Sequence, residues 1–345
     1  MDAKITKKRL GLLLSYDWIK IVGICVAAVL VWMLLFTTMA TRATNGQSFD
    51  IYLYPNVYSH IDTDKLHTRD ENDALSYDVL NVSLNSLTTD MMSTILSAHF
   101  AAGQGDVMFV PYSEPEKDAE TGEITSYTGL DAFLASYRSN CLWLAPDGSE
   151  GEIGSGDSTQ KVNNYFIDCE NYLNSFYDKG WQNPGSFNEE AVRSHFNERM
   201  QGDKRYKNDS QRENGIAKEI ERIQKLRDAY ANVKSWVTAE DGPVQVRTTQ
   251  LSIDLDGDNE LEEYTWQYAF DLSNIDKLSE LVYYYPEDTS DDSSEGSGST
   301  SGTSNGLCMV VLNTGSSGAG NTPLRYEPFM LLDYLVKTYA PEKYA

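Results

Sequence analysis

The longest apolar stretch runs from Ile21 to Ala40, IVGICVAAVLVWMLLFTTMA, twenty residues without a charge between Lys20 and Arg42. At a helical rise of about 1.5 Å per residue, such a run spans a hydrocarbon core of about 30 Å. The expected organisation is a cytoplasmic basic segment over 1–20, a transmembrane anchor over 21–40 and an extracellular domain over 41–345. The orientation follows from Lys4, Lys7, Lys8 and Arg9 ahead of the run and the strongly acidic chain behind it. Thr38-Met39-Ala40 is a passable cleavage site for a signal peptide, but the apolar region of such a peptide is shorter, roughly 7–15 residues. Cys25 reads as a small lipid-facing side chain, not a lipidation site, because it follows Ile24 near the start of the run.

Beyond the anchor the period of the pattern changes. FDIYLYPNVY from Phe49 is rich in β-branched and aromatic residues, and Tyr77–Leu84 alternates apolar with polar, so both predict strands. In TTDMMSTILSAHFAAGQ, Met91, Ile95, Ala98 and Ala102 share one helix face, with Thr88 or Thr89 as N-cap and Gly103 where a C-cap belongs. The short apolar run Asp106–Pro111 follows, giving strand, helix, strand: a βαβ unit in a parallel sheet. Ser186-Phe187-Asn188-Glu189 fits a capping box, and Ile216, Ile220, Ile223, Leu226, Tyr230, Val233 and Trp236 form a helical stripe. The charges interleaved there, including Arg199, Arg205, Glu219 and Arg222, read as a salt-bridged, solvated face, the rival being a docking patch for an acidic partner. Residues 307–313 predict another buried strand and Tyr326–Tyr339 a closing helix. Segments 144–160 and 314–321 read as surface turns, and 286–306 as a low-complexity mobile loop inside the domain.

Composition narrows the partners. The 345 residues carry 28 Lys and Arg against 52 Asp and Glu, a net charge of −24. Nucleic acid is excluded as an expected partner, because binding a polyanion needs a concentrated basic surface. Neutral or cationic small molecules fit best. Four scattered cysteines and four histidines offer no framework for a Cys/His zinc site, and Cys141, Cys169 and Cys308 allow at most one intramolecular bridge.

In LSIDLDGDNELEEYTW, Asp254, Asp256 and Asp258 alternate between two predicted strands, with the carbonyl of Glu260 and a carboxylate from Glu262 or Glu263 beyond them. Hard oxygen donors at that spacing suit a structural calcium ion, although glycine at the fourth position and strand-like flanks separate the motif from an EF-hand. The competing reading is an acidic hairpin turn in which Asp-Gly and Asp-Asn supply the geometry. Among the aromatics, Tyr54 and Trp181 stand beside turn-forming Pro and Gly and are the ones placed to stack on a sugar; most of the others belong to the core. No HExxH, Walker loop or GxGxxG frames an active site, so the chain reads as a non-enzyme.

Residues 79–110, VLNVSLNSLTTDMMSTILSAHFAAGQGDVMFV, resemble the early core of bacterial extracellular solute-binding proteins of ABC importers, especially the sugar-binding group. The strand at 307–313 followed by RYEPFMLLDYLV resembles that family's late strand and helix. The resemblance implies an α/β periplasmic-binding-protein-like fold with mixed or parallel sheets, flanking helices and an interlobe cleft. It further implies that Asp106 opens a cleft-lining strand and that ligand contacts fall near Pro111-Tyr112-Ser113. The expected function is binding of a small neutral solute such as a sugar, in association with a membrane transporter. The alternative is a non-transport structural or interaction protein of a surface assembly on the same scaffold.

Overall fold

A computed structural model describes residues 7–39, 43, 47–66, 74–114, 116–117, 124–127, 129–153, 160–254, 262–286, 302–313 and 322–340. The elements are helix α1 (Lys7–Met39), strand β1 (Ser48–Leu53), strand β2 (Val57–Ser59), helix α2 (Thr63–Leu66), strand β3 (Asn81–Ser86) and helix α3 (Met92–Ala101). Then follow strands β4 (Val107–Pro111), β5 (Glu116–Lys117) and β6 (Ile124–Ser126), helix α4 (Gly129–Tyr137), strands β7 (Gly151–Ile153) and β8 (Gln160–Val162), and helix α5 (Tyr165–Asn174). Helices α6 (Glu189–Arg199) and α7 (Asp209–Thr238), strands β9 (Gln245–Ile253), β10 (Glu262–Asp271), β11 (Val282–Tyr284) and β12 (Leu307–Val311), and helix α8 (Glu327–Tyr339) complete the order.

Met1–Ala43 and Thr44–Ala345 are separate units. In the first, Trp18–Leu35 is long and apolar enough to cross a membrane. Such a helix near the amino terminus serves as an anchor or as a signal sequence.

The second unit is built on one six-stranded mixed sheet in the order β3-β1-β4-β12-β10-β9. β1 lies parallel to both β3 and β4, whereas β12, β10 and β9 follow one another antiparallel. β3, α3 and β4 form the expected crossover unit, with β1 between its two strands. Period two sorts the side chains. Phe49, Ile51, Leu53, Val107, Phe109, Met309 and Val311 face a core closed by α5, α7 and α8. Tyr52, Met108, Val110, Val310, Trp266 and Tyr268 face a second core closed by α3 and α4. The central strands are apolar on both faces because helices cover both. The described part of Thr44–Ala345 is one unit that carries the six-stranded sheet and three two-stranded ribbons, β2–β11, β5–β6 and β7–β8.

Two local expectations are corrected. α6 is capped by the side chain of Asn188, which accepts from the N–H of Ala191 at 3.0 Å, and not by Ser186. Ser186 instead donates to the carbonyl of Asn183 inside the preceding turn. The capping box belongs to α7, between Asn208 and Gln211. The charges of α7 are not all solvated either. Glu219 and Arg222 are buried, Arg222 donates to Glu219 at 2.9 Å, and Arg199 of α6 pairs with both Glu219 (2.8 Å) and Asp78 (2.6 Å). Arg205 also reaches Asp78 at 2.9 Å, so the network ties α6 and α7 to the segment that enters β3.

All four cysteines are unbridged. Cys169 belongs to the core on one face of the sheet, Cys141 and Cys308 to the other. Cys141 pairs with Leu312, four residues along the chain from Cys308. That separation is roughly 13 Å at strand spacing, beyond disulfide reach.

Candidate functional site

A crevice of about 410 Å³ opens between the start of α4, the Tyr112–Glu114 segment that leaves β4, and the β9–β10 hairpin. Its size falls in the range of small-molecule sites, roughly 300–1,000 Å³. The lining is polar: Tyr112, Glu114, Asp131, Thr248, Thr249, Gln250, Ser252, Glu263, Tyr264 and Thr265, with Leu251 the apolar exception.

The backbone builds these walls tightly. Gly129 opens α4 with φ +55°, and a Cβ there would lie 2.1 Å from the carbonyl oxygen of Pro111, so only glycine lets the helix start against the end of β4. Leu130, Phe133 and Leu134 anchor α4 in the core, which sets Asp131 in the first turn facing the crevice. The helix N-terminus favours a carboxylate there. On the opposite wall β10 carries a bulge between Trp266 and Ala269, and β9 presents Thr249 opposite Trp266. Bulges re-aim side chains beside functional sites. Tyr127 fastens the rim, accepting from the N–H of Ser252 at 2.8 Å and donating to its carbonyl at 3.1 Å.

Asp131 is 2% exposed and Thr249 3%, yet Asp131 Oδ1 and Thr249 Oγ1 have no hydrogen-bond partner. Burial raises the Asp131 carboxyl to about 6, the Arg247 guanidinium opposing and Glu114 reinforcing the rise. Arg247 is already engaged: it pairs with Asp271 at 2.7 Å and its guanidinium lies over the Tyr112 ring at 4.1 Å.

The sequence-derived site residues scatter across the fold. Tyr112 lines the crevice. Tyr54 directly follows β1, donating its N–H to the carbonyl of Phe109 at 3.0 Å and packing against both cores. Asp106 sits at the opposite, amino-terminal edge of β4. Its carboxylate accepts the N–H of Asp50 at 2.8 Å, its N–H donates to the Asp50 carbonyl at 3.1 Å, and its carbonyl accepts from Leu312 at 2.9 Å. Asp106 therefore staples β1, β4 and β12, with its carboxyl enclosed although the residue keeps some exposure. Burial first, then the Asp50 and Glu327 carboxylates, raise it to about 8 against the lowering effect of the Asp50 N–H.

Trp181 packs its ring on Tyr230 at 5.0 Å under Lys234, in the core on the other sheet face, so it is not brought to the crevice. Asp254 and Glu262 flank the β9–β10 connection, while Asp256, Asp258 and Glu260 lie outside the described residues. Among the described residues, no group of three His, Cys, Asp or Glu side chains is placed to hold a metal ion.

Sequence reasoning missed Glu114, Asp131 and Thr249, and took Glu263 only as the alternative to Glu262 for a calcium carboxylate. Gly129 two residues before Asp131 was the available signal, but carboxylates are too frequent here for spacing alone to select one. No family model, curated protein or solved structure matches the chain.

Proposed function

We propose that the chain is a membrane-tethered, extracellular solute-binding protein whose Thr44–Ala345 unit holds a small polar solute in the crevice beside α4. The observation that carries this reading is the pair of buried, unpartnered oxygens, Asp131 Oδ1 and Thr249 Oγ1, on the walls of one open cavity. Each unsatisfied buried group costs about 1–3 kcal/mol, which a hydrogen-bonding ligand recovers. Supporting it, the first three sheet strands follow the 2-1-3 order of doubly wound folds, which bind ligands outside the carboxyl ends of their strands. Tyr112, in the position implied by the resemblance to solute-binding proteins, follows the carboxyl end of β4 and stands on the rim. The basic amino-terminal residues and the acidic chain beyond the anchor support the outward orientation. Delivery to a membrane transporter is the role that such a tethered binder would serve.

Thermal unfolding of the full chain in detergent, against neutral sugars, amino acids and amines, tests the reading. At about 100 times Kd, a bound solute adds about 2.7 kcal/mol and raises the midpoint by a few degrees. Midpoints that stay fixed across all three classes contradict it. A structural calcium ion at the β9–β10 connection belongs to the same proposal, supported by Asp254 directly after β9 and Glu262 at the start of β10. EDTA in the same series lowers the midpoint if it is held there.

A second reading, an interaction protein of a surface assembly, is favoured by one surface. Tyr58, Tyr283 and Tyr285 cluster at the β2–β11 ribbon with ring centroids 5.5–5.8 Å apart, Tyr58 stacked on Tyr283 and both edge-to-face with Tyr285, with His60 beside them, and Tyr58 and Tyr285 are exposed. Exposed ring clusters suit a protein partner. Replacing Tyr58 and Tyr285 with Ser leaves solute-induced shifts unchanged under the first reading.

A further inference from the structure

We infer that the crevice selects an organic dication, a molecule carrying two separated ammonium or guanidinium groups, over a neutral solute. The inference rests on the crevice being the binding site and adds the class of its ligand. Three carboxylates, Glu114, Asp131 and Glu263, line the cavity, and no basic side chain does. Arg247 stands beside the crevice, paired with Asp271 and lying over the Tyr112 ring, and is not part of the lining. Asp131 offers a buried oxygen without a donor, and an N⁺–H donor placed there satisfies both its hydrogen-bonding and its charge requirement.

Among the described residues, no group of three such side chains is placed to hold a metal ion. Separate carboxylates on α4, on the segment after β4 and on β10 are instead matched by a ligand whose charges are held apart by a carbon chain. The hydroxyls of Thr249, Ser252 and Tyr112 and the amide of Gln250 supply neutral hydrogen-bonding partners along its length. The net charge of −24 draws such a ligand toward the protein.

Protonation of Asp131 competes with the cation. Facing it are Glu114 and Arg247, with Glu263 on the far wall and Asp271 behind Arg247. Dication affinity therefore falls as the pH drops from 7 to 5, through the range in which Asp131 gains its proton.

Equilibrium titration of the full chain in detergent with putrescine, arginine and glucose tests the inference. Putrescine binds most tightly, its affinity weakens with added salt, and Asp131→Asn lowers it at least tenfold while the unfolding midpoint stays within a few degrees. Glu263→Gln, at an exposed rim position, lowers putrescine affinity several-fold and guards against a folding defect in the first variant. Glucose binding that Asp131→Asn leaves intact overturns the dication while the solute-binding reading stands. No binding of any of the three, in a chain that unfolds cooperatively, overturns both. Putrescine affinity equal in the wild-type chain and both variants marks nonspecific attraction to the acidic surface and also overturns the inference.

Discussion

Two buried carboxyl groups respond to pH in opposite directions. Asp106 is raised to about 8, so from the ordinary carboxyl range up to pH 8 the folded chain holds a proton that the unfolded chain has released. Its contribution to stability is full below pH 4 and declines as pH rises toward 8, by up to about 1.4 kcal/mol per pH unit. Asp106→Asn, which keeps an oxygen for the Asp50 N–H, flattens that decline in urea unfolding measured from pH 5 to 8; an unchanged slope contradicts the assignment. Glu219 is held down to about 2: burial opposes ionisation, but Arg222 and Arg199 and the Tyr77 hydroxyl outweigh it. Its contribution is present above pH 4.5 and is lost as pH falls through 2. Glu219→Gln leaves Arg222 and Arg199 buried with less compensation and costs about 3–5 kcal/mol at pH 7, read from the same urea curves. Little of this is legible in sequence, because 52 acidic residues make any one unremarkable. Glu219 in particular repeats the spacing of its solvated neighbours and differs only in what packs over it.

At the scale of elements, legibility followed the strength of the local code. α3 ends where glycine predicts, with Gly103 at φ +68°. The Gln104 N–H donates to the His99 carbonyl at 2.9 Å and the Gly103 N–H to that of Phe100 at 3.0 Å, a Schellman motif. A side chain at that φ is strained, so Gly103→Ala lowers stability by about 1–2 kcal/mol in chemical denaturation, and a neutral result contradicts the cap. The strands at 49–53, 107–111 and 307–311 were equally readable, since β-branched and aromatic runs bounded by Pro or Gly have few other outcomes. α4 and α5 were not anticipated. α4 has only nine residues and starts at a left-handed glycine forced by its approach to Pro111, a tertiary constraint with no local signature. The capping box was misplaced for a related reason: Ser186 and Asn188 are both competent caps, and the backbone turn that uses Ser186 decides between them.

At the scale of the molecule, the alternation of apolar and polar residues foretold an α/β sheet with flanking helices, and the sheet carries both parallel and antiparallel pairs. What the pattern does not encode is which strand ends meet. The crevice joins the end of β4 and α4 to β9 and β10, two stretches that lie more than a hundred positions apart in sequence. That convergence buries Asp131 and Thr249, whose Oδ1 and Oγ1 have no hydrogen-bond partner. The most direct test of the account is backbone hydrogen exchange of the full chain in detergent, with and without saturating putrescine. The account predicts slower exchange over Leu130–Leu134 at the start of α4 and Thr248–Ser252 of β9, with the β2–β11 ribbon unchanged. Protection confined to Tyr58 and Tyr283 on that ribbon, or saturable binding with no protection at α4 and β9, contradicts it.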